Sequence, residues 1–433
     1  MGLASLASTP VGRAALLKGR PRLVGRLASV PAFFLARMAS GLLLLKLSTS
    51  ALPVGGFTLF SQLMLFAALL NAVAVGGAQS GVIRQTAAAE DDDALARTRR
   101  AAMRIWGATA PCLALLITLA SAPISHVLVG NRDCWWVVIT IALLALSAGP
   151  GQIWCSVLTG RQRAAASLLA QAIGLFAGTG AAAWAILHGD PIAATIGFAS
   201  GPLVTMAAAF LLSAPLRKSP AAPHASGTEL RALLRYSAAF AATTGFSSLL
   251  LFGLRSLYRE DFSTVALGYW LVANRISDMS TQLLGLFMIQ VFVPHFAMLE
   301  SEAERRALTL RFWAAAVTLT GAIPIVFSLI SGPLVRIFLS PAFAPAIPAI
   351  RIYMIGDMLR VWASLAMHAA FAKGHPERYA AIEMGTLLTM AVITAILATA
   401  GDASAPMLGY ACAYGLTAAL VSLAFLRGAL ARA

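Results

Sequence analysis

The chain has 433 residues, of which 59% are hydrophobic and only 11% charged, and its mean hydropathy is +0.81. So little polar surface cannot cover a water-soluble globule of this length, which excludes a soluble domain and requires a lipid solvent. The net charge of +15 comes from 32 basic against 17 acidic side chains. Most of these bases flank apolar stretches, so the excess reports membrane topology and contact with anionic headgroups, not a grip on nucleic acid.

In chain order, residues 1–27 carry Arg13, Lys18, Arg20, Arg22 and Arg26. The apolar run that follows is too long for a signal peptide, contains Arg37 and Lys46 and lacks an A-x-A-like cleavage site, so the segment is expected to be an uncleaved cytoplasmic tail. A bilayer-crossing helix needs about 20 mainly apolar residues. Such windows fall at 28–48, 55–82, 102–128, 135–158, 165–187 and 191–213, then at 231–256, 264–297, 310–331, 347–372, 378–399 and 405–427. The expectation is an all-α integral membrane protein with about twelve transmembrane helices.

Bases gather in every second gap: Arg84 to Arg104, Arg161 with Arg163, Arg217 to Arg235, Arg305 to Arg311, Lys373 with Arg378, and Arg427 with Arg432. The gaps between are short and nearly neutral, with Asn131 to Asp133 balancing and Asp402 alone, although Arg255 to Asp261 and Arg336 to Arg351 are exceptions. Positive loops remain inside, so both termini are expected to face the cytoplasm, as in a polytopic inner-membrane protein. The run from Glu90 to Asp93, followed by Arg97, Arg99, Arg100 and Arg104, reads as a solvated helix start, because carboxylates suit a helix N-terminus.

A duplication is visible. Thr159-Gly160-Arg161 corresponds to Lys373-Gly374-His375, and Val127 to Gly130 corresponds to Ile337 to Ser340, each pair about half a chain length apart. The Pro/Ser/Ala-rich stretch from Ser219 to Gly227 lies where two halves would join. The expected organisation is a tail at 1–27, a six-helix bundle at 28–218, a linker at 219–229 and a second six-helix bundle at 230–433. Because six is even, the halves run parallel around a central cleft.

No Walker A loop, HExxH or GxSxG motif is present, the six histidines lack metal-ligand spacing, and Cys112, Cys134, Cys155 and Cys412 are isolated. No catalytic residue, metal or cofactor is expected. The chain does place ionisable residues inside its spans: Arg37 and Lys46 in the first, Arg275 and Asp278 in the eighth, Asp357 and Arg360 in the tenth, and Glu383 in the eleventh. Each costs about 2.5–3.5 kcal/mol at bilayer depth on insertion scales, so they should face the cleft or one another.

Arg275–Asp278 and Asp357–Arg360 have i, i+3 spacing, within salt-bridge reach, so self-neutralisation is one reading of these pairs. Arg37 and Lys46 have no acid on their own helix; Lys46 could snorkel to headgroups, and Arg37 could pair with Asp357 or Glu383. Otherwise the surplus cleft charge is positive and suits an anionic substrate, with Arg or Lys partnering phosphate. Arg84 and Arg255 lie nearer span ends, where interfacial anchoring competes with substrate contact. Trp135, Trp136, Tyr236, Tyr258, Tyr269 and Trp270 also sit near span ends and read as an aromatic belt. Tyr269 and Trp270 are alternatively placed to stack on sugar rings. Pro294, Pro324 and Pro348 could break helices where halves rock.

These residues also carry a resemblance. Leu267-Gly268-Tyr269-Trp270, Arg275-Ile276-Ser277-Asp278, Gln282 and Val293-Pro294 resemble the G-x-W, I-S-D and L-P segment of the Wzx-type lipid-linked oligosaccharide flippases, including those for lipid III of enterobacterial common antigen. Gly356-Asp357-Met358-Leu359-Arg360 is similar to that family's G-D-x-L-K, and Ala372-Lys373, Glu383 and Lys46 also match. Arg37 and Arg360 stand where lysine is usual, and His295-Phe296-Ala297 departs from the small polar residue that tends to follow.

The resemblance implies the multidrug/oligosaccharidyl-lipid/polysaccharide exporter (MOP) fold of two six-helix bundles, shared with the MATE transporters. It also implies transport, without enzymatic activity, of an undecaprenyl-diphosphate-linked oligosaccharide for O-antigen or related lipopolysaccharide assembly. Partners implied are the lipid-linked oligosaccharide and membrane lipids, with the envelope glycan polymerase and chain-length machinery as neighbours in assembly. A cation-coupled MATE-type antiporter, which would want an acidic cleft, and a membrane glycan polymerase, which would usually carry a sizeable periplasmic loop, are the competing readings.

Overall fold

The computed structural model describes residues 32–75, 78–89, 91–216, 227–288, scattered positions between 301 and 335, 337–372 and 376–426, and among them every regular element is helical. The tail at 1–27, most of the linker, most of the ninth span, Pro294, Pro324, Lys373 to His375 and the basic C-terminus lie outside the described residues.

Helix α1 (Ala32–Ala51) ends before Pro53, which lacks an N–H and pushes the residue before it out of helical geometry. Helix α2 (Val54–Val73) then starts from Pro53. The expected span at 55–82 is two elements, α2 and α3 (Gln79–Ala88), the first ending at Val73 and the second starting at Gln79. Helix α4 (Asp92–Leu119) grows from the acidic cluster: the Asp91 carboxylate accepts from the Ala94 N–H at 2.6 Å, and Asp92 and Asp93 occupy the first turn.

Helix α5 (Ser121–Val129) ends at Gly130, whose φ of +82° is a left-handed conformation that glycine adopts without a Cβ penalty. The fourth expected span is split into α6 (Trp135–Ser147) and α7 (Gly149–Gly160) by Gly149-Pro150. At the basic end, Arg161 pairs with Asp92 at 3.2 Å and donates to the Ala89 carbonyl.

Helices α8 (Ala164–Leu187) and α9 (Pro191–Leu212) form a tight hairpin. A Cβ on Gly174 would lie 2.6 Å from the Gly201 carbonyl oxygen, and a Cβ on Gly201 the same distance from that of Gly174. Small residues let membrane helices approach this closely. Gly201→Val should wedge the hairpin apart at an overpacking cost of about 1–3 kcal/mol, read as a lowered thermal unfolding midpoint in detergent. An unchanged midpoint would show that the crossing has slack.

The second half comprises α10 (Gly227–Asp261), α11 (Thr264–Phe287), α12 (Ile347–Ala372), α13 (Pro376–Thr399) and α14 (Ala405–Leu426). Among the described residues, nine helices are long and apolar enough to cross a membrane. Pro348 sits at the start of α12, not within it. In the α13–α14 turn, the Ser404 N–H and hydroxyl donate to Asp402 at 2.8 and 2.6 Å and hold its carboxyl below the usual range.

The largest buried cluster joins the halves, packing Leu45 of α1 and Phe57 of α2 among residues of α10, α11, α12 and α14. Phe57 meets Phe343 edge to face at 5.2 Å. Gly268 of α11 leaves room for α2, since a Cβ there would lie 3.1 Å from Val54 Cγ1 and 3.3 Å from Thr58 Oγ1. This seam lies at the end of the spans opposite Arg84, Arg161 and Arg163.

Candidate functional site

Helix geometry aligns the polar residues of the second half. On α11, Asn274 and Asp278 are four apart and share a face; on α12, Tyr353, Asp357 and Arg360 do the same; on α14, Tyr410 and Tyr414 do so. Packing of α11 against α12, and of α12 against α14, brings these faces together.

Two connected arrays result. In the first, Arg255 Nη2 donates to Asn274 Oδ1 at 3.0 Å and Asn274 Nδ2 donates to Asp278 Oδ2 at 2.9 Å. The Arg255 guanidinium lies 5.7 Å from the Trp270 ring centre, and Trp270 Nε1 donates to the Tyr353 hydroxyl at 2.6 Å. In the second, the hydroxyls of Ser277 and Tyr410 donate to Asp357 Oδ1 at 2.6 and 2.8 Å. Arg360 Nη1 donates to Tyr410 at 3.5 Å and its guanidinium lies 5.5 Å from the Tyr414 ring centre, while Tyr414 donates to Glu383 Oε1 at 3.2 Å.

The electrostatics centre on Asp278. Four guanidinium groups act on it, those of Arg360, Arg275, Arg255 and Arg37. Arg37 reaches this group from the other half of the chain, and the charges that act on it are those of Arg275 and Asp278, not those of Asp357 or Glu383. Arg37 also lines a cavity of about 550 Å³ bordered by α1, α2, α3, α6, α7, α8 and α9 in the basic-end half of the first bundle.

The structure thus brings Arg37, Arg275, Asp278, Asp357, Arg360 and Glu383 into one neighbourhood and revises their pairing. Arg275 and Asp278 do not form a close ion pair, because Asn274 occupies the carboxylate and Arg275 makes no hydrogen bond among the described residues. Asp357 and Arg360 are bridged by the Tyr410 hydroxyl. Lys46 is half-buried further along α1 and does not join the cluster. Arg84 is exposed on α3 at the basic end, away from it.

Arg255 is no interfacial anchor. Helix α10 runs on to Asp261, beyond the expected end at 256, so Arg255 is drawn inside and is 4% exposed. Trp270, fully buried, can neither anchor at headgroups nor stack on a sugar, and Tyr258 is also buried, donating to the Ala403 carbonyl at 2.7 Å. Tyr269 is half-buried against Phe343. Trp135 and Trp136 are about half exposed, as a belt requires; the Tyr236 side chain lies outside the described ones.

Charge at bilayer depth does not mark the neutral partners Asn274, Ser277, Tyr410 and Tyr414, nor the amides Asn71, Gln79, Gln152 and Gln171 that line the cavity. Their signal was helical spacing from charged or hydroxyl residues: Asn274 to Asp278, and Gln171 to Ser167. Among the described residues, no three of His, Cys, Asp or Glu converge as metal ligands.

The sequence profile of a family described as polysaccharide biosynthesis protein matches residues 54–348, more than half of the chain. The chain belongs to this polysaccharide biosynthesis family. None of the curated proteins matches it. Among solved structures, a Vibrio cholerae MATE transporter superposes with a TM-score of 0.72 at 13% identity, covering 98% of this chain and 97% of that one. An inward-facing multidrug resistance MATE transporter of the MOP superfamily gives 0.69 at 14%, over 94% and 98%. The lipid II flippase MurJ in an inward closed conformation gives 0.69 at 14%, over 93% and 87%. At such identities the likeness shows the fold, the expected MOP architecture. The chain is thus a multi-pass membrane protein of the polysaccharide biosynthesis family with the fold of these transporters.

Proposed function

We propose that the protein is a bacterial inner-membrane flippase that moves an undecaprenyl-diphosphate-linked oligosaccharide, an O-antigen or related envelope glycan unit, from the cytoplasmic to the periplasmic leaflet by alternating access. The observation that carries this reading is the surplus of cations between the halves: the charges of Arg37, Arg255, Arg275 and Arg360 all act on Asp278, and Arg37 also lines the cavity. Diphosphate is the ligand for which converging guanidinium forks are suited.

In this mechanism the arginines, with Lys46 entering as the cleft rearranges, hold the diphosphate. Asp278, Asp357 and Glu383 keep those bases oriented while no substrate is bound. Arg84, exposed at the basic end, meets the headgroup as it leaves the leaflet, and Tyr269 lies beside the path. The glycan occupies the wet cavity, the polyprenyl tail stays in lipid, and the bundles at 28–218 and 230–433 rock about the Phe57–Phe343 contact. With positive loops inside, the cavity in the basic-end half and the closed seam opposite correspond to an inward-facing state. A cation antiporter fits less well, because bases outnumber acids in the cluster. Deleting the gene should accumulate glycolipid on the cytoplasmic side, with rescue by flippases of known glycan; rescue by a multidrug efflux pump but by no flippase would favour the antiporter.

A further inference from the structure

We propose that the cavity of the first bundle is a subsite for uncharged sugars, the part of the glycan joined directly to the diphosphate. The proposal rests on the flippase reading and specifies its substrate. The cavity's volume of about 550 Å³ falls within the roughly 300–1,000 Å³ typical of small-ligand sites. Among the described residues its lining contains no Asp, Glu or Lys, and Arg37 is its one charged member. Its polar groups are instead neutral.

Gln152 of α7 is a hub: its Nε2 donates to the Asn71 carbonyl at 2.8 Å and it also bonds the side chains of Asn71 and Gln79. Across the cavity, Gln171 Nε2 of α8 donates to Ser167 Oγ at 3.2 Å. Each amide offers two donors and two acceptor lone pairs, so capacity remains after these bonds. Phe198 lies in the same wall, and Pro202, four residues on in α9, has no N–H to give to its carbonyl.

A neutral wall with both donors and acceptors matches sugar hydroxyls, each of which also donates and accepts. It does not match phosphate, which calls for converging cations, nor a uronic acid, whose carboxylate would be desolvated with Arg37 as its only base. Arg37 lines the cavity and also feels Asp278 and Arg275, so it marks the junction where diphosphate ends and sugar begins.

The test uses the full-length protein in nanodiscs, which keeps maltoside headgroups from competing, and three short-chain polyprenyl diphosphates: bare, carrying a neutral disaccharide, or carrying a disaccharide with a uronic acid. Two or three added hydrogen bonds should make the neutral disaccharide bind roughly tenfold tighter than the bare lipid. The uronic acid should forfeit most of that gain. Gln171→Met and Asn71→Leu should each drive the neutral-to-bare ratio toward one; because the readout is a ratio, a partial loss of folded protein cancels. A ratio unchanged in both variants, or a preference for the uronic acid, overturns the subsite while leaving the flippase standing. A wild-type protein that binds none of the three lipids overturns the flippase reading, and this proposal with it.

Discussion

Arg37→Glu should abolish glycolipid translocation while leaving the protein inserted in the membrane at its normal level. Arg37 sits on α1, is accessible from the cavity and lies within electrostatic reach of Asp278 and Arg275. A carboxylate there would repel both Asp278 and an incoming diphosphate and would capture Arg275. A hydrogen bond to a charged group contributes about 1.5–3 kcal/mol, so a loss of at least roughly tenfold in transport is expected from reversal. Arg37→Lys, which keeps the charge but not the fork, should retain partial transport. Translocation assayed in proteoliposomes, alongside membrane abundance, decides the point: a fully active Arg37→Glu protein would remove Arg37 from the substrate path.

Asp278→Asn should act in opposite directions on stability and on affinity. The substitution keeps size and leaves Asn274 a hydrogen-bonding neighbour, but it removes the negative charge on which four guanidinium groups act. Breaking a buried ionic arrangement from one side typically costs about 3–5 kcal/mol, because uncompensated charge remains. The thermal midpoint of the empty protein should therefore fall by several degrees. At the same time the arginines lose their internal competitor, so a diphosphate lipid should bind more tightly and restore the midpoint by mass action. A midpoint that stays low at saturating bare polyprenyl diphosphate would show that the cluster is structural.

Much of this arrangement was legible in the sequence because membrane insertion punishes ambiguity. A helix must be apolar over a fixed length, so Ala164–Leu187 and Pro191–Leu212 were readable to within a residue or two. The misses were local. Gly149-Pro150 split a span that hydropathy reads as continuous, since a window average does not register the loss of one helical hydrogen bond. Arg255 read as interfacial because its burial depends on where α10 stops.

The membership of the charged cluster was largely foreseeable, since ionisable residues at bilayer depth are few. Its wiring was not. Salt-bridge spacing pointed to Arg275–Asp278 and Asp357–Arg360, yet Asn274 and Tyr410 intervene, and neither differs in character from any other amide or phenol until the helices are packed. The cavity was invisible for the same reason, its amides being scattered over α2, α3, α7 and α8.

The fastening between the halves has a consequence for how the molecule responds to its surroundings. Its contacts include two phenyl rings and a glycine notch, groups without formal charge. Ionic strength should leave the ease of parting at that end unaltered, whereas a single added side chain at Gly268 would prop the latch ajar. The machine would then be tuned by shape at one face and by charge in its middle, and the two controls could be adjusted independently.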